Sequence, residues 1–448
     1  MRGVNSLPIS VQTAVDLTAG SSEGISEEVK EAALPIGFPF LIVQPTEEIV
    51  EPVLLFMTER YLSSNRIFVG NTVKAVVEDL KDWWGYLDEF KKKWDAVMTE
   101  DVEYYRDVML TTISPTTHEP YDVETVARRV GTVLRFYRWA CEKGLMPEGI
   151  DRRTRRKGIV PRDRRAMAHL QAGAEGREVS ELIPQGHSSP DDNIRVLLPE
   201  QMAKVMAALG PLPSELSEED QRSSRGRLVS EVCLNLGLRI DEARRLTVYQ
   251  ILSLTFDPSE PLVTVPLRLT ATKGNKPRTV PMPVWLAIEL LAYIEGERDV
   301  AVKSAGNGRG RRRDHKGLFV NGLHSGGDVG AHTSKRSLQE DFERAVRAAG
   351  LVDNILKTNP ETGAEYLRPM PRFSCHDLRH TFSVWTYYSR RKEGDSEPWL
   401  YIQAVLGHES VEVTMATYLR VVKEFEAMVS DHMMAAFQRL RRGGRADG

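Results

Sequence analysis

Apolar residues recur at three- and four-residue spacing along the first third of this 448-residue chain, and that period predicts helices packed on one another. Val73, Val76, Val77, Leu80, Trp84 and Leu87 fall on one side of a helix that Asn71 or Thr72 can cap. A second helix is expected from about 101 to 110. A third runs from about Asp122 to a C-cap near Gly144, with Val126, Val130, Val133, Leu134, Tyr137 and Cys141 facing inward. Its outer face carries Arg128, Arg135 and Arg138, with Arg129 to one side. The pattern predicts a small all-α domain over 62–150. The arginine stripe reads either as ordinary helix surface or as a face turned to DNA.

The chain is too long for one ordinary domain. Residues 1–61 form an acidic N-terminal extension: 1–34 is polar and reads as loosely docked, while Phe38, Phe40, Leu41, Ile42 and Val43 suggest a strand or hook leading into a helix near 52–61. Residues 151–195 mix basic residues with Pro, Gly, Ser and Asp and read as a linker. A second domain then occupies 196–448. Helices are expected at about 200–209, 224–236, 284–296, 335–349, 376–391, 397–406, 411–418 and 422–441. Between them, β-rich 262–269, the turn Gly274-Asn275-Lys276-Pro277 and Thr279-Val280-Pro281 form a hairpin. The fold class is therefore mainly α with a small antiparallel β-sheet. Residues 303–316 and 352–371 read as insertions or long loops.

Composition removes several function classes. Cys141, Cys233 and Cys375 are too few and too scattered for a disulfide framework or a zinc site, and a reducing, cytoplasmic setting fits them. No run of about 18 apolar residues offers a membrane span. The net charge of −3 argues at first against a nucleic-acid partner, but the charge is unevenly placed. Residues 1–60 hold nine acids against three bases. Residues 151–165 hold eight Lys or Arg, Arg152, Arg153, Arg155, Arg156 and Lys157 among them, against Asp151 and Asp163. A second basic run lies between Arg309 and Lys316. Such runs are either solvated loops or phosphate contacts favoured by counterion release.

The chemistry lies in four short segments of the second half. In Gly237-Leu238-Arg239 the glycine breaks a helix and Ile240-Asp241-Glu242-Ala243 starts another, so Arg239 sits in a tight turn where Glu242 can bond back to it. Lys273 opens the hairpin turn, where a lysine can protonate a leaving oxygen; Lys276 is a rival on spacing alone. In His376-Asp377-Leu378-Arg379-His380 the first histidine and the arginine share a helix face. A zinc reading of His376 and His380 fails because Asp377 stands where a metalloprotease has glutamate, and Arg379 would put a cation beside the metal. His380 is expected to pack or bond inside the fold. His408 follows Gly407 at a helix end, and Tyr418 comes ten residues later. Two guanidinium groups suit a phosphate, and a tyrosine near cations and a base can attack it. No acidic metal cluster and no G-x-x-x-x-G-K-[ST] loop accompany them, so the expected chemistry needs no metal, cofactor or ATP.

These segments together resemble the tyrosine recombinases, the phage integrase-like site-specific DNA recombinases. The resemblance covers roughly 62–150 and 197–425 and rests on Gly-Leu-Arg-x-x-Glu at Gly237–Glu242, Thr272–Pro281, His376–His380, Leu406-Gly407-His408 and Tyr418, in that order. It implies an N-terminal helical core-binding domain and a tyrosine-recombinase catalytic domain forming a C-shaped clamp on double-stranded DNA. Arg239 and Arg379 would bind the scissile phosphate, His376 and His408 would support it and handle protons, Lys273 would protonate the 5′ oxygen, and Tyr418 would form a 3′-phosphotyrosine. The linker would cross the DNA, with Lys276 and Arg278 added to its contacts. Four protomers would assemble on two sites, with accessory recombination proteins as further partners, and C-terminal elements would be exchanged through a stripe of Phe425, Met428, Val429, Met433, Phe437 and Leu440. A mobile element's integration, excision or transposition would be the setting, in the cytoplasm and on the nucleoid.

Two other readings share part of this inventory. A type IB topoisomerase uses the same chemistry to relax supercoils, but Leu-Gly-His with Tyr418 and the small helical domain favour recombination. A catalytically silent DNA-binding partner would lack some of the six residues, and all six are present. Two features depart from the family pattern: Tyr249-Gln250 stands where an acid is often found, and the acidic first 60 residues do not look like a basic arm-binding domain.

Overall fold

The computed structural model describes residues 9–14, 34–62, 70–147, 150, 154–157, 177–185, 194–305 and 316–425. It leaves out 45, 218–219, 221, 273–275, 409, 412–413, 416, 419–420 and 424 within these ranges, and gives only the backbone path of 154–157 and 177–179. The chain divides into two compact units. The first is Met1–His187 with Lys357–Tyr366; the second is Ser188–Leu356 with Leu367–Gly448.

The first unit is built on helices α1 (Glu51–Tyr61), α2 (Gly70–Glu89), α3 (Thr99–Thr111) and α4 (Val123–Glu142). The predicted apolar stripes of α2 and α4 are buried, apart from a partly buried Cys141, and their burial is what holds the helices together. Trp83 and Tyr137, both fully buried, close the centre, with the Trp83 indole N–H donating to the Tyr137 hydroxyl at 3.0 Å. That bond gives each buried polar tip a partner. Within the stretch 1–34, expected to be loosely docked, residues 9–13 form a strand and the rest up to residue 33, apart from Ala14, lies outside the described residues; the strand expected near 38–43 is present. Strands β1 (Ile9–Thr13), β2 (Pro39–Val43) and β3 (Glu48–Ile49) form an antiparallel sheet, with Ile9 opposite Val43 and Thr13 opposite Pro39. Phe38, Leu41, Val53, Phe56 and Met57 enter the helical core. A polar composition hid β1 because only its Ile9 and Val11 pack on that core. Part of the basic segment is also regular: β4 (Thr154–Lys157) pairs with β5 (Arg177–Ser180).

The second unit has helices α5 (Pro199–Leu209), α6 (Arg225–Leu236), α7 (Ile240–Arg244) and α8 (Val248–Leu252), then the hairpin β6 (Thr264–Leu269) and β7 (Arg278–Pro283). Leu267 and Val280 oppose one another in this hairpin and are both buried. Helices α9 (Val284–Tyr293), α10 (Asp299–Ser304), α11 (Lys335–Ala348), α12 (Cys375–Lys392) and α13 (Pro398–Leu406) follow, with a π-turn, Ile294–Arg298, joining α9 to α10. Between α11 and α12, residues read as an insertion or long loop form paired strands β8 (Val352–Thr358) and β9 (Glu365–Pro371), whose tip, Lys357–Tyr366, belongs to the first unit. β9 is mostly exposed, and β8 turns Leu356 outward and Lys357 inward, so the apolar and polar residues do not follow the in–out alternation that marks a half-buried strand. The architecture is mainly helical with small antiparallel sheets. Among the described residues no helix is long and apolar enough to cross a membrane.

Candidate active site

Two left-handed glycines set the site's frame. Gly237 (φ +61°) ends α6 and Gly407 (φ +67°) ends α13. A Cβ on Gly237 would lie 2.6 Å from the Phe382 ring, so only glycine allows both the backbone angle and the close approach of α12. Arg239, two residues past Gly237, is extended and caps α7. Its backbone N–H donates to Glu242 Oε2 at 3.0 Å and its guanidinium to Oε1 at 3.2 Å, the back-bonding expected from the sequence.

Glu242 gathers more than that. Arg278 on β7 makes a fork to the same carboxylate, with Nη1 to Oε1 at 2.9 Å and Nη2 to Oε2 at 2.8 Å, and its Nε donates to the Val405 carbonyl at 2.7 Å. Arg379 stands 3.8 Å away. Burial would raise the Glu242 carboxyl, but the Arg278 bonds, the Arg239 N–H and the charges of Arg278 and Arg379 outweigh it and hold the group at about 2. One buried anion thus organises three cations. Arg278, grouped with DNA contacts in the sequence reading, is half-buried and faces this carboxylate; the spacing of the Thr272–Pro281 segment gave no sign of the pairing.

Arg379 is buried on α12, whose first turn is capped by Ser374: its hydroxyl accepts the His376 N–H, and the Ser374 N–H donates to Asp377. The guanidinium donates to the carbonyls of Gly237 (2.6 Å) and Leu406 (2.7 Å) and lies 3.3 Å from His408 Nε2. Burial and then the neighbouring Arg239 pull it down to about 10, so it stays charged at neutral pH. His408 Nδ1 is 2.9 Å from the Thr414 hydroxyl. Burial and then Arg379, Arg239 and Arg278 lower His408 to about 4. His408 is therefore neutral at pH 7. An arginine donating to Nε2 leaves the ring proton on Nδ1, which donates to Thr414. His376 is also lowered, by burial and then by Arg379 and Arg239.

Tyr418 is 1% exposed. Its ring lies parallel to that of His408 (5°) with centroids 6.5 Å apart, and its hydroxyl is 3.0 Å from His380 Nδ1. Burial raises its pKa, opposed by a bond from Ser383 and by the charges of Arg379 and Arg239. The fold thus brings Arg239, Arg379, His408 and Tyr418 into one cluster, with His376 beside it through His380 (ring centroids 4.6 Å). Lys273 lies outside the described residues. Lys276, beside it, is exposed and its carbonyl accepts the Thr272 hydroxyl at 2.6 Å.

The DNA-contact set expected from sequence is scattered. On α4, Arg135 and Arg138 are exposed, with Arg135 donating to Thr132 at 2.9 Å. Arg128 grips both oxygens of the buried Asp79 at 2.6 and 2.5 Å. Arg152 and Arg153 lie outside the described residues, as do the side chains of Arg155, Arg156 and Lys157 on β4, and Met428, Val429, Met433, Phe437 and Leu440 of the tail stripe. Phe425, the first residue of that stripe, is buried in the core of its own unit.

The sequence pattern of the Phage integrase family matches residues 195–424, just over half of the chain and all of this cluster. The chain belongs to that family, the tyrosine-type DNA recombinases and integrases. No curated protein matches the sequence. Among solved structures, XerH site-specific recombinase bound to palindromic difH in a post-cleavage complex is similar at 16% identity and TM-score 0.47, covering 80% of this chain and 79% of that one. A lambda integrase dimer bound to a COC′ core site is similar at 14% identity and TM-score 0.43, covering 82% and 77%. The Tn1549 transposon integrase (residues 82–397) in complex with circular intermediate DNA is similar at 12% identity and TM-score 0.41, covering 82% and 94%.

Proposed function

We propose that this recombinase acts at specific sites of double-stranded DNA, cutting and rejoining each strand through a 3′-phosphotyrosyl bond at Tyr418, without metal or ATP. The observation that carries the reading is the packing of Tyr418 and His408 against an arginine cluster centred on Glu242. In the proposed reaction the Tyr418 oxygen forms a bond to phosphorus as the bond from phosphorus to the 5′ oxygen breaks. Arg239 and Arg379 neutralise charge on the equatorial oxygens, the main demand of phosphoryl transfer. His376 and His408 support the same phosphate, and Lys273 gives the 5′ oxygen its proton. As the new bond forms, the Tyr418 proton passes to His376 or His408, which handle protons at the site. The phosphotyrosine keeps the energy of the broken bond, so the freed 5′ hydroxyl can reverse the step on a new partner strand. Exchange of strands between two sites calls for four protomers, and integration, excision or transposition of a mobile element is the proposed setting. The exposed Arg135, Arg138 and Lys276 are the proposed phosphate contacts within the described residues, with the basic run from Arg152 to Lys157 added to them.

The test begins with fragmented genomic DNA of the source cell. Fragments retained by Tyr418→Phe are sequenced, and nicked duplexes made from them are offered to the wild type. A covalent protein–DNA adduct is expected with wild type and absent with Tyr418→Phe. An adduct formed by the phenylalanine variant would remove Tyr418 as nucleophile. Relaxation of supercoiled plasmid by a monomer, without strand exchange between two sites, would mark a topoisomerase instead.

A further inference from the structure

His380 has no role in the reaction as proposed above, yet its imidazole lies against the tyrosine that would carry it out. It stands one residue after Arg379 and four after His376, on the side of α12 that faces the cluster. Its Nδ1 is 3.0 Å from Tyr418 Oη, and the two rings meet at 61° with centroids 5.5 Å apart. A hydroxyl as buried as that of Tyr418 needs a partner, and the geometry makes this ring one. Ser383 is the other neighbour, and its own hydroxyl already donates to the Arg379 carbonyl at 2.9 Å. The groups facing His380 are His376, Arg379 and His408.

We propose that His380 is the positioning residue of the nucleophile: its unprotonated Nδ1 accepts the Tyr418 hydroxyl, holding the proton on one side of the oxygen and leaving the lone pairs free for phosphorus. The inference rests on the reading of Tyr418 as nucleophile. Burial, then His376, Arg379 and His408, lower His380 to about 3, so the ring is neutral and open as an acceptor at pH 7. The same value argues against His380 as the base that removes the proton. A ring held so far down by burial and neighbouring charge is a poor acceptor for the proton of a tyrosine whose own value burial raises. His380 therefore acts by aiming the hydroxyl, and orientation of this kind changes rates by about 10- to 100-fold.

The experiment measures single-turnover adduct formation on the nicked duplexes defined above, made with an ordinary 5′ oxygen and with a 5′-bridging sulfur that leaves without a proton. His380→Phe is expected to form adduct about 10- to 100-fold more slowly on both, while its affinity for the duplex stays within about two-fold. His380→Asn, whose amide oxygen falls where Nδ1 stands and can accept the hydroxyl, is expected to recover most of the rate. Lys273→Ala serves as the contrast and is expected to recover on the sulfur substrate alone. Wild-type rates in His380→Phe overturn the proposal. So does rescue of that variant by sulfur, which would place His380 at the leaving group, and so does a loss of DNA affinity that matches the loss of rate. If His380→Phe does not fold, His380→Leu decides: it offers no acceptor to Oη, and a wild-type rate there is equally fatal. An adduct from Tyr418→Phe in the same assay would instead refute the nucleophile itself, so the two failures are distinct.

Discussion

Removing Glu242 tests whether one buried carboxylate organises the site. The side chain is 4% exposed and its two oxygens take four hydrogen bonds from Arg239 and Arg278. Held at about 2 against an ordinary 4.5, the ionised carboxylate favours the folded state by about 3 kcal/mol at about 1.4 kcal/mol per pH unit. Because the folded value is the lower one, this contribution is complete above about 4.5 and is lost as pH falls through about 2. Glu242→Ala does more than forfeit it, since the Arg278 guanidinium, 11% exposed, keeps only the Val405 carbonyl. Breaking a buried pair by removing one partner costs about 3–5 kcal/mol. Urea unfolding at pH 7 is expected to show a loss of that size, and the variant is expected to lack the wild type's further decline between pH 4.5 and 2. Replacing both partners, Glu242→Met with Arg278→Met, is expected to restore most of the stability, because a well-packed apolar pair avoids the desolvation of two charges. Adduct formation is expected to stay low in the double variant, since the Arg239 N–H and guanidinium still lack their acceptor. A loss below about 1 kcal/mol in Glu242→Ala would refute the account of the pair. Recovery of cleavage in the double variant would show that Glu242 acts through stability alone.

Two further substitutions probe the scaffold. Gly237→Ala is expected to lower unfolding free energy by at least about 2 kcal/mol, since its Cβ meets the Phe382 ring at 2.6 Å. Gly350→Ala, at φ +72° with nothing within 4 Å, should lose only about 1 kcal/mol, and equal losses in denaturant titrations would show that backbone angle alone is at issue. In the first unit, Arg128→Ala is expected to lose about 2 kcal/mol because buried Asp79 keeps only the Thr132 hydroxyl, whereas Lys74→Ala, at an exposed position of α2, should change stability by no more than about 0.5 kcal/mol. If Arg128→Ala leaves thermal unfolding untouched but weakens DNA binding, the Asp79 pair is not its main role.

How much of this was legible in the sequence depends on whether a residue's partner lies nearby along the chain. Helix α4 was readable because its buried face repeats every three or four residues from Val126 to Ala140, and the Arg239–Glu242 bond was readable because it spans a single helical turn. Hairpin β8–β9 was not, since β9 is mostly exposed and β8 buries Lys357 while exposing Leu356, nor was β1, whose pairing partner lies some thirty residues away. The site divides in the same way. Arg239, Arg379, His408 and Tyr418 could be named from short motifs, but the links among them are long-range: Arg278 to Glu242 across 36 positions, Arg379 to Gly237 across 142, and His380 to Tyr418 across 38.

That difference has a physical consequence for the two charged side chains whose placement the sequence left open. A basic residue in a hairpin and a basic residue on an amphipathic helix both look like surface. Burial of a carboxylate elsewhere decides otherwise, because an isolated buried anion is too costly to persist and must draw in a cation. Glu242 draws Arg278 and Asp79 draws Arg128, and in each pair the acid is the more deeply buried partner. Any affinity these arginines have for phosphate then competes with a carboxylate already in place. Arg135, Arg138 and Lys276 are exposed, and that exposure is why they, rather than Arg128 and Arg278, are the proposed phosphate contacts.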